Sequence, residues 1–414
     1  SGGMFVQTGD FVNASGTSAN SAMTFYGQEK VEYNAKLCLM NMAVHGLNGK
    51  IKSGDEANTF YNDAHNLEGK CDYVMANPPF NVDKVKAEST LNAGRLPFGL
   101  PGVNDKKEVS NANYLWISYF YAYLNETGRA GFVMASSATD SGGKDREIRK
   151  QLLETGDVDI MISVGNNFFY TKSLPCTLWF FDRAKKGEIR DKVLFIDARN
   201  YFTVVDRTFN EWSPWQLKNL TAIVWLYRGE AEKYINLLAE YKQEIQERLS
   251  ALLTMMENDL LLLERFADPL KALIKEIKSA VNKAHSVQDL YGFNDLLKKY
   301  VSTMNEQSKA LLSYGDGLEK AEAKDFAKGI IDTVSTWAQF KKTVSAAFES
   351  TVAEIKECRT IIKEAKWLTD KFGDGVYQDV LGLCKQASLS DIEEKNYSLT
   401  PGAYVGVAPI KEDD

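Results

Sequence analysis

A surplus of basic residues, long apolar runs and paired cysteines are all missing from this sequence, and each gap excludes something. Lys and Arg number 49 against 56 Asp and Glu, a net charge of −7. A protein that grips nucleic acid through its own broad basic face carries the opposite balance, so any such ligand needs grip from a partner. The deficit is C-terminal: residues 1–225 hold 24 basic against 25 acidic side chains, and the remainder 25 against 31. No apolar run reaches the roughly 18 residues of a membrane span, so a membrane protein is not expected. The five cysteines, Cys38, Cys71, Cys176, Cys358 and Cys384, are odd in number and far apart, without a CxxC pair. That excludes a disulfide framework or a zinc knuckle and fits reduced thiols in a cytoplasm, the expected location. His45, His65 and His285 are scattered and form no metal or nucleophile pattern. The chain opens Ser1-Gly2-Gly3 with no charged-then-apolar leader, so no secretion signal is expected.

What is present is a soluble composition, 44% hydrophobic and 25% charged, with length for two or three domains. From residue 1 to about 200 short β-rich runs alternate with helical patterns, the rhythm of a doubly wound α/β domain. Strands are predicted at Met23–Tyr26, Cys71–Ala76 and Ala130–Ala135, with a further pair at Leu178–Asp182 and Val193–Asp197. Helices are predicted at Val31–His45, with Leu37, Met40 and Val44 on one face, and at Tyr114–Leu124. Near Arg228 the pattern becomes helical. Leu249, Met256 and Leu263 recur at steps of seven, as do Leu238, Ile245 and Leu252 until Asp259, which predicts a coiled-coil-like seam. Asp268-Pro269 reads as an N-cap and first helical position, a third helix as Asp289–Leu312, and one long helix as Leu318–Lys371, stopping at Gly373. The predicted division is an α/β domain over 1–227, helical hairpins over 228–372 and a mixed tail over 373–414.

The chemistry is concentrated in Asn77-Pro78-Pro79-Phe80, at the carboxyl end of the predicted strand Cys71–Ala76, where open α/β sheets build their sites. Two prolines fix two φ angles and remove two N–H donors, giving a rigid loop with outward carbonyls. The Asn77 side-chain carbonyl and the Pro78 backbone carbonyl are suited to hold an amine whose nitrogen gains positive charge as it attacks, and Phe80 is suited to stack on an extruded base. A Pro-Pro turn that merely closes a strand is the bland alternative. Gly2-Gly3 followed by Glu29 has the offset of a glycine turn and a ribose-binding acid, although a surface glutamate is the commoner meaning of such a residue alone.

The resemblance extends past that loop. In chain order, Ser1–Phe5, Tyr26-Gly27-Gln28-Glu29, Asn41-Met42, His45-Gly46, the Asn77 loop and Gly128-Arg129-Ala130-Gly131-Phe132-Val133 resemble segments of the modification subunit of type I restriction-modification systems. So do Asn167-Phe168-Phe169-Tyr170, Leu174–Leu178, Leu194–Ala198 and the C-terminal Leu399-Thr400-Pro401-Gly402-Ala403-Tyr404-Val405-Gly406. The resemblance implies a Rossmann-like methyltransferase fold that uses S-adenosyl-L-methionine (AdoMet) to methylate adenine N6 in double-stranded DNA. It implies that Gly2 and Gly3 belong to the AdoMet glycine loop, that Glu29 binds the ribose, and that Asp63 faces the AdoMet adenine, with Asp55 the weaker choice. Asn77, Pro78, Pro79 and Phe80 then hold the target adenine, and Phe169 lines its pocket, where a role as a core aromatic is the competing reading. The implied partners are a specificity (S) subunit, a restriction (R) subunit and a second modification (M) subunit.

In the family an Asp/Asn-Pro-x-x-Gly segment, the first strand and a helical domain precede the Ser-Gly-Gly. The expectation is therefore a C-terminal fragment whose sheet lacks a central strand and shows an open edge. A methyltransferase acting on RNA or on a protein glutamine, and a non-catalytic assembly module, are the alternatives.

Overall fold

The alternating segments form one mixed six-stranded sheet and one separate parallel ribbon. The computed structural model describes residues 2–169 and 173–407. The ribbon pairs β1 (Phe25–Glu29) with β2 (Gly49–Ser53), placing Glu29 opposite Ser53. The larger sheet contains β3 (Cys71–Ala76), β4 (Leu124–Ala135), β5 (Val158–Val164), β6 (Cys176–Asp182), β7 (Lys192–Asp197) and β8 (Cys384–Ser388). Its spatial order is β8-β7-β5-β6-β4-β3. β3, β4, β5 and β7 run parallel, whereas β6 and β8 run antiparallel to their neighbours. Helices α1 (Gly3–Ala14), α2 (Glu32–Val44), α3 (Asn113–Tyr123) and α4 (Gly143–Glu154) complete the pattern expected of an α/β domain.

Several expectations need correcting. The strand predicted at Met23–Tyr26 runs instead from Phe25 through Glu29. β4 begins at Leu124, ahead of Gly128. Strands β6 and β7 are not a pair, because β5 lies between them. All seven residues of β5 are buried, Asp159 and Ser163 included, and a segment buried on both faces carries no alternation to mark it as a strand. On α2 the buried face is Ala35, Cys38 and Met42, while Met40 and Val44 are 60% and 79% exposed. Close packing selects that face. A Cβ at Gly2 would lie 2.7 Å from Cys38 Sγ, and one at Gly49 would lie 2.5 Å from Met42 Cε. Two glycines thus make room for those side chains.

β3 has a partner on one side only among the described residues, and Tyr73 and Met75 on it are 64% and 57% exposed. Among the described residues β3 is thus an edge strand of this sheet. It is partly approached by α1, whose Thr8 Oγ1 lies 3.5 Å from Met75 Sδ.

Residues after 378 return to this unit. Leu399 N donates to Thr139 O at 2.8 Å, the Thr400 and Thr139 hydroxyls are 2.6 Å apart, and the Tyr404 ring stacks on Phe195 at 3.9 Å. Buried Arg149 fastens the same tail by donating from Nε to the Tyr397 carbonyl and from Nη1 to the Tyr114 hydroxyl and the Ser141 carbonyl. The Leu399–Gly406 segment is thus structural packing on the sheet.

The second compact unit, Trp212–Gln378, is helical. It comprises α5 (Pro214–Tyr227), α6 (Ala231–Leu263), α7 (Asp268–Val281), α8 (Phe293–Asp316), α9 (Lys320–Ile330) and α10 (Trp337–Phe372). The long C-terminal helix expected from Leu318 is two helices, and Asp268 is the first residue of α7 rather than its cap. Leu249, Met256, Leu263, Ile245 and Leu252 are buried, as a helical seam requires, but Leu238 is only half-buried and Leu237 takes the core position at that turn. Asp259 does not break the second series but continues it into the core at 2% exposure. Its carboxylate accepts from the Tyr300 hydroxyl at 3.1 Å and the Thr351 hydroxyl at 3.3 Å, and burial pushes its pKa up to about 6. No helix among the described residues is long and apolar enough to cross a membrane.

Candidate functional site

The residues singled out in the sequence fall on two bodies of the α/β unit: Asn77 and Phe169 follow strands of the six-stranded sheet, whereas Gly2, Glu29, Asp55 and Asp63 belong to α1, the ribbon and the loop after it. β3 delivers Asn77 at its carboxyl end, and the chain there leaves the ladder for a loop through Pro79. Asn77 is exposed, and among the described residues no hydrogen bond uses its side chain or the Pro78 carbonyl. Both acceptors are therefore available to a substrate amine. Phe80 is half-buried and touches no other ring among the described residues, which leaves a face for stacking.

Rigidity comes from α3, a contribution the sequence reading missed. Trp116 Nε1 donates to the Pro79 carbonyl at 3.2 Å. Asn81, at φ 54°, is clamped on both sides: its N–H donates to Asn113 Oδ1 at 2.9 Å, and its Oδ1 accepts from Asn113 Nδ2 at 2.9 Å and Asn111 Nδ2 at 3.0 Å. The cluster Asn111-Ala112-Asn113 at the start of a buried aromatic helix was the available signal, because asparagines are rarely buried without a polar task.

The cofactor-side residues lie on the ribbon and α1. Gly2 caps α1 at φ 77°, a left-handed conformation that suits glycine, and its carbonyl accepts from the Phe5 and Val6 amides. A helix start of this kind presents unpaired N–H groups. Glu29 ends β1, half-buried, with Oε1 accepting from the Val31 amide at 2.9 Å.

Among the described residues no strand directly precedes Asn62-Asp63. β2 ends at Ser53, and residues 58–66 form a loop that Gln28 ties to β1. Asp55, exposed and two residues past β2, is therefore the acid that directly follows a strand end. Asp63 sits deeper. Its Oδ2 accepts from the Glu68 amide at 3.0 Å, and its Oδ1 is enclosed without a hydrogen-bond partner.

Phe169 lies in the loop from the carboxyl end of β5 to the start of β6, the same end of the sheet as Asn77. The contacts of its segment run elsewhere: Phe168 packs edge-on to Phe202 at 6.0 Å, and the Asn167 carbonyl accepts from the Asn210 amide at 2.7 Å. Ser1 and Tyr170 lie outside the described residues. The Cys71 thiol is no nucleophile here, since burial, with Asp63 and Asp72 adding negative charge, raises it to about 11.

The Asn77 loop, at a strand carboxyl end, can hold an amine on two carbonyl oxygens. Comparison with known proteins gives the family. Residues 1–248 match the family model described as N-6 DNA Methylase. The MjaIX type I restriction enzyme methylase subunit of Methanocaldococcus jannaschii is 31% identical over 314 residues, covering 71% of this chain and 54% of that protein. The HindI methylase subunit of Haemophilus influenzae is 32% identical over 217 residues, 51% of this chain and 46% of its own. The chain thus spans about half the length of the curated relatives it matches. A solved type I restriction-modification methyltransferase subunit from Streptococcus thermophilus is 26% identical, with 48% of this chain and 41% of its own covered and a TM-score of 0.42.

Proposed function

Since the chain belongs to the N-6 DNA methylase family, we propose that the protein carrying it transfers a methyl group from AdoMet to adenine N6 in double-stranded DNA, as the modification subunit of a type I restriction-modification complex. The observation that carries this reading is the unoccupied pair of acceptors at Asn77 and Pro78, held rigid by Trp116 and Asn113. The named relatives are restriction-enzyme methylase subunits, which favours DNA over RNA or a protein glutamine.

The residues present fit AdoMet in one respect: Asp63 Oδ1 is an enclosed acceptor without a donor among the described residues. Gly2 and Gly3 at the α1 start would hold the amino-acid end, and Glu29 the ribose hydroxyls. Asp55 or Asp63 would take the adenine amine, the strand-end position favouring Asp55 and the enclosed oxygen favouring Asp63. When bound, AdoMet supplies a methyl group on a sulfonium ready for displacement.

Asn77 Oδ1 and the Pro78 carbonyl accept the two N–H bonds of the target amine. That aims the nitrogen lone pair and stabilises the positive charge it gains; the surplus proton then leaves to water, so no strong base is required. Phe80 stacks on the base once it has left the duplex, and Phe169 borders the pocket. A specificity subunit, with a second modification subunit and a restriction subunit, supplies the basic grip that a chain of charge −7 lacks.

The test is tritiated methyl transfer to DNA by the complex. Asn77→Ala removes one acceptor and is expected to lower kcat by about 10²–10³. Because Asn77 is exposed and unbonded within the fold, AdoMet affinity and melting temperature should hold. Undiminished methylation would overturn the assignment.

A further inference from the structure

Arg95 is 2% exposed and is among the largest fully buried side chains of the molecule. Its backbone adopts φ 63°, uncommon for a residue with a Cβ. Nη1 donates to the Tyr123 hydroxyl at 2.9 Å and Nη2 to the Thr59 carbonyl at 2.9 Å. The guanidinium lies 4.4 Å over the Tyr119 ring and 5.7 Å from that of Tyr123. Nε has no partner, and among the described residues no carboxylate forms an ion pair with this cation. A buried charge answered only by neutral groups and π faces is costly. Such a feature, in a strained backbone, points to a positional task.

What it holds is the loop that follows β2. Thr59 is gripped twice, by Arg95 through its carbonyl and by Gln28 Nε2 through its hydroxyl at 3.1 Å. The Phe60 carbonyl accepts from the Tyr119 hydroxyl at 3.1 Å, and the Phe60 ring lies 4.3 Å from Trp116. The Tyr61 hydroxyl accepts from the Lys86 amide at 3.2 Å. Asn62 and Asp63 come next in the chain. Asn113, Trp116, Tyr119 and Tyr123 recur every three to four residues, one face of α3. That face reaches the amine-holding loop at one end, through Trp116 and Asn113, and the acid-bearing loop at the other, through Tyr119 and the Tyr123–Arg95 pair.

We propose that Arg95 is a positioning residue of the cofactor half-site: it fixes the acid-bearing loop, residues 57–66, against α3, and so sets its position relative to Asn77. This rests on the methyltransferase reading above for what the loop binds. The loop-fixing itself does not depend on that reading. Arginine is required because a lysine cannot donate in two directions while lying flat on Tyr119.

The test uses full-length protein with Arg95→Lys, Arg95→Gln and Tyr123→Phe. Hydrogen exchange without cofactor should show the Asn62 and Ala64 amides, bonded to the Asn58 carbonyl and Gln28 Oε1, exchanging about tenfold faster in Arg95→Gln. The β4 and β5 amides should stay within about twofold. The AdoMet dissociation constant should rise about tenfold, with kcat and the KM for DNA within about threefold, and Arg95→Lys should recover part of the loss. If Arg95→Gln does not fold, Arg95→Lys and Tyr123→Phe decide by the same loop signature. Unchanged loop exchange, or an equal loss of protection across the whole sheet, overturns the proposal. Loop exchange that responds as expected in a wild-type complex that methylates no DNA overturns the functional reading instead.

Discussion

The buried carboxylate of Asp259 makes the helical unit sensitive to pH in a calculable direction. Its pKa stands near 6 in the folded chain against an ordinary 3.8, because burial disfavours the charge more than the Tyr300 and Thr351 hydroxyls restore it. Between those values the folded chain keeps a proton that the unfolded chain has released, so stability falls as pH rises through that window. A shift of about two units corresponds to about 3 kcal/mol, present in full below the unfolded pKa and lost above about pH 6. Asp259→Asn keeps the shape and can still meet both hydroxyls, but it never ionises.

The variant should therefore be more stable than wild type at about pH 8, by up to about 3 kcal/mol, and close to it at about pH 4. For a unit spanning Trp212–Gln378 this amounts to a rise of roughly 6–12 °C in melting temperature. Far-UV circular dichroism melts at the two pH values measure it, since this unit is helical throughout. An offset of equal size at both values, or a variant less stable at the higher pH, would refute the reasoning.

Two further outcomes test the cofactor side. Asp55→Asn and Asp63→Asn, compared by calorimetric titration with AdoMet, should separate the strand-end acid from the enclosed one; the true adenine contact loses about tenfold in affinity and the other stays within about twofold. Gly2→Ala forces a Cβ to within 2.7 Å of Cys38 Sγ at a φ of 77°, so it should lower stability by about 1–3 kcal/mol and weaken AdoMet, as read by melting and titration. Unaltered melting would show that α1 moves freely from α2.

The sequence was informative wherever a residue type is tied to one backbone task. Cys71–Ala76 was found to the residue, because a short apolar run ended just before two prolines that cannot continue a ladder. The seam of α6 was equally visible through its period. Periodicity was silent for β5, buried on both faces, and misleading for α2, where the choice between two apolar stripes is made by glycines at positions 2 and 49 on other elements. Asp259 looked like an interruption because pattern alone cannot see Tyr300 and Thr351 arriving from α8 and α10. At the site, the loop that touches substrate was legible and its supports were not. Trp116, Asn113 and Arg95 act through hydrogen bonds to residues 28 to 37 positions away, a relation set by topology.

The pairing of β8 with β7 sets Cys384 opposite Ile196, with the whole helical unit intervening in the chain. On the ribosome, then, the α/β unit cannot finish its sheet when its first two hundred residues have emerged. The edge of β7 stays open while the helices between are made, and those helices, rich in local contacts, can fold first. The helical unit is a guest that matures inside an unfinished host. Arg149, Phe195 and the Thr139 hydroxyl are the host's waiting receptors for Tyr397, Tyr404 and Thr400, so translation stalled after the helices would leave an aggregation-prone β edge.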